Sequence, residues 1–454
     1  MNVRQLVVVA CAALMGLPSV ADADGKPCPA SPLTACFRQV WTGRRVFDAE
    51  LPFPDGATFL PHGHYKAEVR SLPASMRFVD VSGKTVLEFA APTNFAPPYV
   101  MHIGLSCRHF ALVCVETPNA APKVAATVPM SLKTFDPSVQ SNVSTVRVKP
   151  VGGMGAVTMT QSAGVGQADV RFVTRGRECR PYMEDGRIFF TFSVRYYSGH
   201  LGVGSIDPAR LEDGWRFEGT ILFDYGDGRY ANDVAAHLWF DDESGEWRAW
   251  TSNFSTAGRG ADGKPIRRAR GGINVAVSKT SPLHGFCVMR TKSLGLSGMN
   301  EDPSGCWDAR AKKWRLLVSA FTPGGIKAQM LESDRWDGGF KALTGTVPED
   351  STGTTIARVG DDFACFSGSV DRAYYVYSYP MLAKLGTMTM DKTPWGDKTG
   401  WPHGRGWPAY LEVEKDGVLH KLLLTMDRED YPGMPNPKWT YGALFLYRAG
   451  ATEK

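Results

Sequence analysis

An all-β fold, a five-bladed β-propeller preceded by a smaller β-rich N-terminal domain, is what this sequence predicts, and three observations carry it. Gly (48) and Pro (30) recur through the 454 residues, and few runs place apolar side chains at i, i+3, i+4 and i+7, so helix is scarce. Short stretches of Val, Phe, Tyr, Trp and Thr alternate with turn signals such as Asp185-Gly186, Asp227-Gly228, Ser244-Gly245 and Asp416-Gly417. A strand-turn-strand cassette then returns five times after residue 170.

Taken in chain order, residues 1–23 come first. Arg4 precedes the apolar run 6–17, and Ala21-Asp22-Ala23 has the small-x-small pattern of a signal-peptidase site, which predicts export to the periplasm or beyond the cell. That run is too short for a bilayer core of roughly 30 Å, so no membrane partner is expected once the leader is removed. Lys+Arg number 51 against 46 Asp+Glu, with no block of five like charges, which leaves a nucleic-acid partner without electrostatic support. Outside the leader, Cys28 with Cys36 and Cys107 with Cys114 are the nearest pairs for an oxidising compartment. The sequence holds no CxxC and no His-x-x-x-His, so no cofactor or metal ligand is assigned; a structural calcium at the channel is left open.

Residues 24–145 lack the cassette, and strand-like pieces at 67–72, 85–89 and 110–115 predict a β-rich unit whose role the sequence does not reveal. The Gly-, Ala- and Ser-rich stretch 146–169 reads as a linker or a strand that closes the ring. Residues 170–454 hold the repeat. Each copy has a polar residue, a Pro or small residue, an apolar strand, a turn, and an aromatic-rich strand ending in a small hydroxyl. The copies run through 179–193, 232–252, 301–319, 350–367 and 406–425, and Pro181, Val234, Pro303, Thr352 and Pro408 are spaced by 53, 69, 49 and 56 residues. That spacing suits a four-stranded blade with its loops.

The first strand of each blade lines the axis, so the polar residues that lead the copies should converge at one end of it. They are Glu178 and Arg180; Asp233; Glu301 and Asp302; Asp350; and His403, Arg405 and Trp407. Carboxylates gathered in one pit are what glycosidic-bond cleavage requires, one protonated for the leaving oxygen and one ionised for water.

On these residues the repeat region, 170–448, resembles the five-bladed glycoside hydrolases, the group that includes families 43, 62 and 32. In family 43 the base Asp stands just before Pro in the first blade. A second Asp that tunes the acid opens the second blade, and the acid Glu lies in a Glu-x-Pro motif that opens the third. Glu301-Asp302-Pro303 matches the third motif, and Asn232-Asp233-Val234-Ala235 is similar to the second. Arg180 stands before Pro181 where the first would need Asp. The resemblance thus implies a glycoside hydrolase with Glu301 as general acid and Asp233 tuning it, the base falling to Glu178 or Asp302.

Arg180, His237, Asp350, His403, Arg405 and Trp407 complete the expected site as substrate-binding groups, with a carbohydrate, and an acidic one given the arginines, as partner. The sequence also admits two other readings. One is a glycan-binding propeller without catalysis, favoured by the missing first-blade Asp. The other is a lyase acting on an acidic glycan, with His237 or His403 as base.

Overall fold

The computed structural model describes residues 36–43, 50–52, 64–105, 110–120, 122–129, 139–164, 166–195, 200–231, 233–253, 272–392, 405–426 and 443–449. Five four-stranded blades surround one axis, and the fold class is the predicted one. Blade 1 starts at the axis with Gly166–Phe172 and continues outward through Arg187–Arg195, Leu201–Ile206 and Trp215–Asp224. Blade 2 runs from Asp233–Asp241 through Glu246–Asn253 and Gly272–Ser278 to Gly285–Ser293. Blade 3 begins at Asn300–Asp308, blade 4 at Thr352–Val359 and blade 5 at Ala409–Lys415. All five inner strands point the same way, so the axis has an upper end, where they begin, and a lower end.

The last blade takes its outermost strand from the other end of the chain. Cys36–Gly43 pairs antiparallel with Leu444–Ala449, which itself pairs with Val418–Met426. Phe37 seats there with its ring 6.1 Å from Tyr410. The ring is therefore closed by a strand from the expected 24–145 unit, not by 146–169. Within 146–169, Arg147–Met154 and Thr158–Ser162 pair with the long strand His64–Val79 in the N-terminal sheet, and Gly166–Phe172 is already blade 1. That sheet has eight strands with its own core of Tyr65, Met76, Phe78, Met101 and Ile103. Leu112 and Cys114 pack with Phe190 and Phe192 of blade 1. Cys114 is a free buried thiol, contrary to the expected pairing with Cys107, which lies outside the described residues, as do Cys28 and the leader.

A repeated bulge gives the blades their common register. In each of the first four inner strands two residues oppose one on the second strand, and the first of the two adopts a left-handed backbone: Asp169 (φ 54), Ala235 (φ 53), Asp302 (φ 58) and Gly353 (φ 61). The amide of each bulge residue is satisfied by the preceding blade. Ser193 accepts the Ala235 N–H at 3.2 Å, Ser252 that of Asp302 at 2.7 Å, and the Asp302 carboxylate that of Gly353 at 2.8 Å. Blade 5 serves blade 1 through Met426, whose sulfur lies 2.9 Å from the Asp169 nitrogen. Ser193 and Ser252, which end the first two copies of the cassette, are thus fasteners between blades. At Gly353 a side chain is excluded as well, because a Cβ would stand 2.7 Å from the Trp407 indole.

Blade 1 departs from the sequence alignment. Residues 188–193 are its second strand, but 179–182 are not its first. Thr174–Arg175 pairs with Arg180–Pro181 in a small extension that hangs from the lower end of the axis. The polar-Pro signal at Arg180-Pro181 marks a two-residue strand of this extension, after the turn at 176–179, and the inner strand of blade 1 lies upstream. No helix among the described residues is long and apolar enough to cross a membrane.

Candidate active site

The bulges bring chemistry to the axis. Arg171, two residues past the bulge of blade 1, is buried and crosses the centre of the ring. Its Nη1 donates to Thr355 Oγ1 of blade 4 at 3.0 Å and its Nη2 to the Asp302 carbonyl of blade 3 at 2.9 Å. Its guanidinium lies 5.2 Å from the Trp407 ring, and Trp407 donates its indole N–H to the Val170 carbonyl at 2.6 Å. Burial lowers the Arg171 pKa to about 10, against the pull of Asp302 and Asp169.

The carboxylate of Asp302 is held by three donors. Its Oδ2 accepts the Ser319 hydroxyl at 3.1 Å, the Thr352 hydroxyl at 3.0 Å and the Gly353 amide at 2.8 Å. Burial raises its pKa and the charge of Asp169 adds to this, while Arg171 opposes both. Asp169 holds in blade 1 the bulge position that Asp302 holds in blade 3, and it too is buried. The sequence reading passed over Asp169 and Arg171. The signal was present in Asp169-Val170, which echoes Asp233-Val234 and Asp302-Pro303, but the alignment had anchored blade 1 at Pro181.

Glu301 sits at the upper end, partly exposed and one residue before the bulge. Asp233 stands two residues before its own bulge, so the alternation of a strand sends the two side chains to opposite faces. Asp233 is fully buried and its Oδ2 receives the Thr251 hydroxyl at 2.8 Å and the Asn274 amide at 2.7 Å, with the Tyr225 hydroxyl 3.5 Å from Oδ1. Its carboxylate is thus committed inside blade 2, a correction to its expected place opposite Glu301. Asp350 and Arg405 do meet at the upper end, as an ion pair of 3.3 Å.

Glu178 and Arg180 belong to the other end. Arg175 pairs with Phe240, seven residues along the strand that Asp233 begins, hence about 23 Å away at ~3.3 Å per residue. Arg175 and Arg180 both hold Asp242, at 2.8 and 3.0 Å, while Arg177 holds Asp241 at 3.1 Å and Glu243 at 2.6 Å. Glu178 therefore cannot serve as base beside Glu301, and the arginines read as suited to an acidic glycan are ion-paired far from it. His237 is also corrected. Its Nδ1 accepts the Gly305 amide at 3.1 Å and its Nε2 faces the Thr174 hydroxyl at 3.1 Å. Burial, helped by Arg171, lowers its pKa to about 3, so it is a neutral tie between blades rather than a proton-transfer group. Trp407 is buried packing and not a sugar platform. His403 lies outside the described residues.

Below Arg171 a narrow cavity of ≈ 30 Å³ is lined by His237, Ser304 and Thr355 and continues to Arg358 and Glu412. By that measure it holds about two waters, too little for a sugar. Among the described residues no group of three or more His, Cys, Asp or Glu is arranged to hold a metal ion. A calcium at the axis, which takes roughly six to eight oxygen ligands, would meet the fixed guanidinium of Arg171. The residues of the axis do not fit that ion.

Fold and site together define a five-bladed β-propeller with acidic groups at the upper end of its axis. No protein-family model matches the chain, and no curated protein matches it. Among solved structures it is similar to an exo-β-1,3-galactanase from Phanerochaete chrysosporium, with 9% identity over 62% of this chain and a TM-score of 0.41. The match spans 60% of the galactanase. It is also similar to an inulosucrase from Halalkalicoccus jeotgali, with 12% identity, 62% and 84% of the two chains covered and a TM-score of 0.42. A thermostable family-43 glycoside hydrolase is similar at 14% identity, 64% and 94% coverage and a TM-score of 0.38.

Proposed function

We propose that the protein hydrolyses glycosidic bonds in an oligo- or polysaccharide at the upper end of the propeller axis. Glu301 is the general acid, Asp169 the base that activates water, and Asp302 the residue that positions both through Arg171 and the bulge of blade 3. The observation that carries this reading is that Asp169 of blade 1 and Asp302 of blade 3 lie beside the buried guanidinium of Arg171, while Glu301, next to Asp302 in the chain, is partly open to solvent. Hydrolysis needs two carboxyl groups in different environments, and a buried Asp169 with a partly exposed Glu301 supports that reading. The leader supports an exported enzyme, periplasmic or extracellular.

Reducing-end release from β-1,3-galactan, arabinan, xylan and levan tests the proposal. Glu301→Gln and Asp169→Asn should each lose at least about a hundredfold in kcat with the fold intact. Parental turnover by Glu301→Gln would refute the assignment of the acid. A second reading, a glycan-binding propeller without catalysis, is favoured by the commitment of Asp233 to Thr251 and Asn274. Retention on one of these polysaccharides with no reducing ends released over long incubation would establish it.

A further inference from the structure

One face of blade 3 looks into the groove shared with blade 4, and its side chains are in register. Glu301 pairs directly with Ser319, so both leave the sheet on the same side. The Ser319 hydroxyl reaches Asp302 Oδ2, which also takes Thr352 and Gly353 of blade 4, so that side faces blade 4. Two residues beyond Ser319 on its strand stands Phe321, on the same face by the period of two, and Met299 lies just before the first residue of the inner strand, Asn300. They are joined by the Phe321 amide, which donates to the Met299 carbonyl at 3.0 Å.

Both side chains are uncovered, Met299 43% and Phe321 40% exposed, whereas Val318 and Ala320 on the opposite face of the same strand are buried. On the blade 4 side stands the Asp350–Arg405 ion pair, with Asp350 Oδ2 3.7 Å from where a Cβ on Gly325, at the turn just after Phe321, would stand; Asp350 also accepts the amide of Val370, which is itself 40% exposed. Three of the seven large apolar side chains exposed among the described residues thus ring the upper end at blades 3 and 4. An exposed aromatic beside a charged pair in a groove is the composition that takes a sugar, whose C–H face is apolar and whose edge carries hydroxyls.

We infer that Phe321 and Met299 form the platform on which one sugar ring of the glycan lies, beside the bond cut at Glu301, with Asp350 accepting from and Arg405 donating to its hydroxyls. The inference rests on the reading of Glu301 as the acid, and it adds the direction in which the glycan extends, outward between blades 3 and 4. Phe321 is a binding residue here and takes no part in proton transfer.

The test uses the full chain and compares the parent with Phe321→Ala, Phe321→Trp and Glu301→Gln. The probes are β-1,3-galactotriose, xylotriose and arabinotriose for binding, and the four polysaccharides for turnover. Phe321→Ala should raise KM, and weaken binding of the triose that the parent prefers, by about tenfold with kcat within about twofold. Phe321→Trp should restore both. Parental KM and triose affinity in Phe321→Ala overturn the platform, and so does failure of every triose to bind the parent. If Glu301→Gln is inert while Phe321→Ala is parental, the platform is wrong and the hydrolase reading stands. If Glu301→Gln turns over like the parent while Phe321→Ala loses affinity, the acid assignment falls and the platform stands.

Discussion

The Nη2 of Arg171 donates a 2.9 Å hydrogen bond to the backbone carbonyl of Asp302, tying the inner strand of blade 1 to that of blade 3 across the axis. The same carbonyl accepts the Thr354 hydroxyl of blade 4 at 2.7 Å, so one peptide group of a bulge serves three blades. A propeller of five blades has little room at its centre, and here the centre is occupied by a cation with acids on two sides.

Removing that cation should be costly. Arg171→Met keeps the length of the side chain but leaves Asp169 and Asp302 buried without their counter-charge, and a loss of about 3–5 kcal/mol is expected. The midpoint of urea unfolding measures it. A loss below about 1 kcal/mol would show that the acids do not depend on Arg171.

Acid should destabilise the protein through its buried imidazoles. His237 has a pKa of about 3 in the folded state, as does His200, each lowered by burial, against about 6.5 in the unfolded chain. Between those values the unfolded chain takes up protons that the native state refuses, so their stability contribution is complete above about pH 6.5 and is lost as pH falls toward 3. Asp302 acts oppositely, since its raised pKa makes its contribution fade as pH rises through the folded value. Melting temperature should therefore drop from pH 7 to pH 5, and His237→Gln should remove about one proton from that dependence. An unchanged slope in the variant would show that His237 does not titrate in this way.

The lower end should be silent in catalysis. Glu178→Gln and Arg180→Ala are expected to keep kcat and KM within about twofold of the parent, because their neighbours are Asp242 and Arg175 rather than Glu301. A large fall in kcat for Glu178→Gln would return the base to the place where the sequence alignment had put it.

Closure of the ring hangs on Phe37. It is buried against Tyr410, Leu423 and Tyr447, and Phe37→Ala should cost about 3–5 kcal/mol, read from the same unfolding curves. A change under about 1 kcal/mol would mean that strand Cys36–Gly43 does not hold blade 5.

The repeat was legible because it is local. A strand, a turn and a second strand lie within some twenty residues, and Ser193, Ser252, Ser319, Ser367 and Thr425 end the copies with a small hydroxyl. What those hydroxyls do was not legible, since the amides that Ser193 and Ser252 accept, those of Ala235 and Asp302, belong to the next blade. Of the expected site residues, Asp350 and Arg405 meet as an ion pair, and Glu301 and Asp302 are neighbours on the inner strand of blade 3. Asp233 was misplaced by one position, enough to turn its side chain to the other face of the strand. Asp169 was missed because the stronger turn signal at Pro181 drew the alignment downstream.

Alternation of apolar residues, turn chemistry and an internal period are properties of short segments, so the amino-acid order alone determined that the chain is β-rich and repeats five times. Which residue meets which depends on a bulge that shifts register by one, and on a strand near residue 40 that joins one near residue 446. Such choices are made by packing and hydrogen bonding between segments remote in the chain. Only the folded ring decided that Arg171 would stand at its centre and that Glu178 and Glu301 would lie at opposite ends.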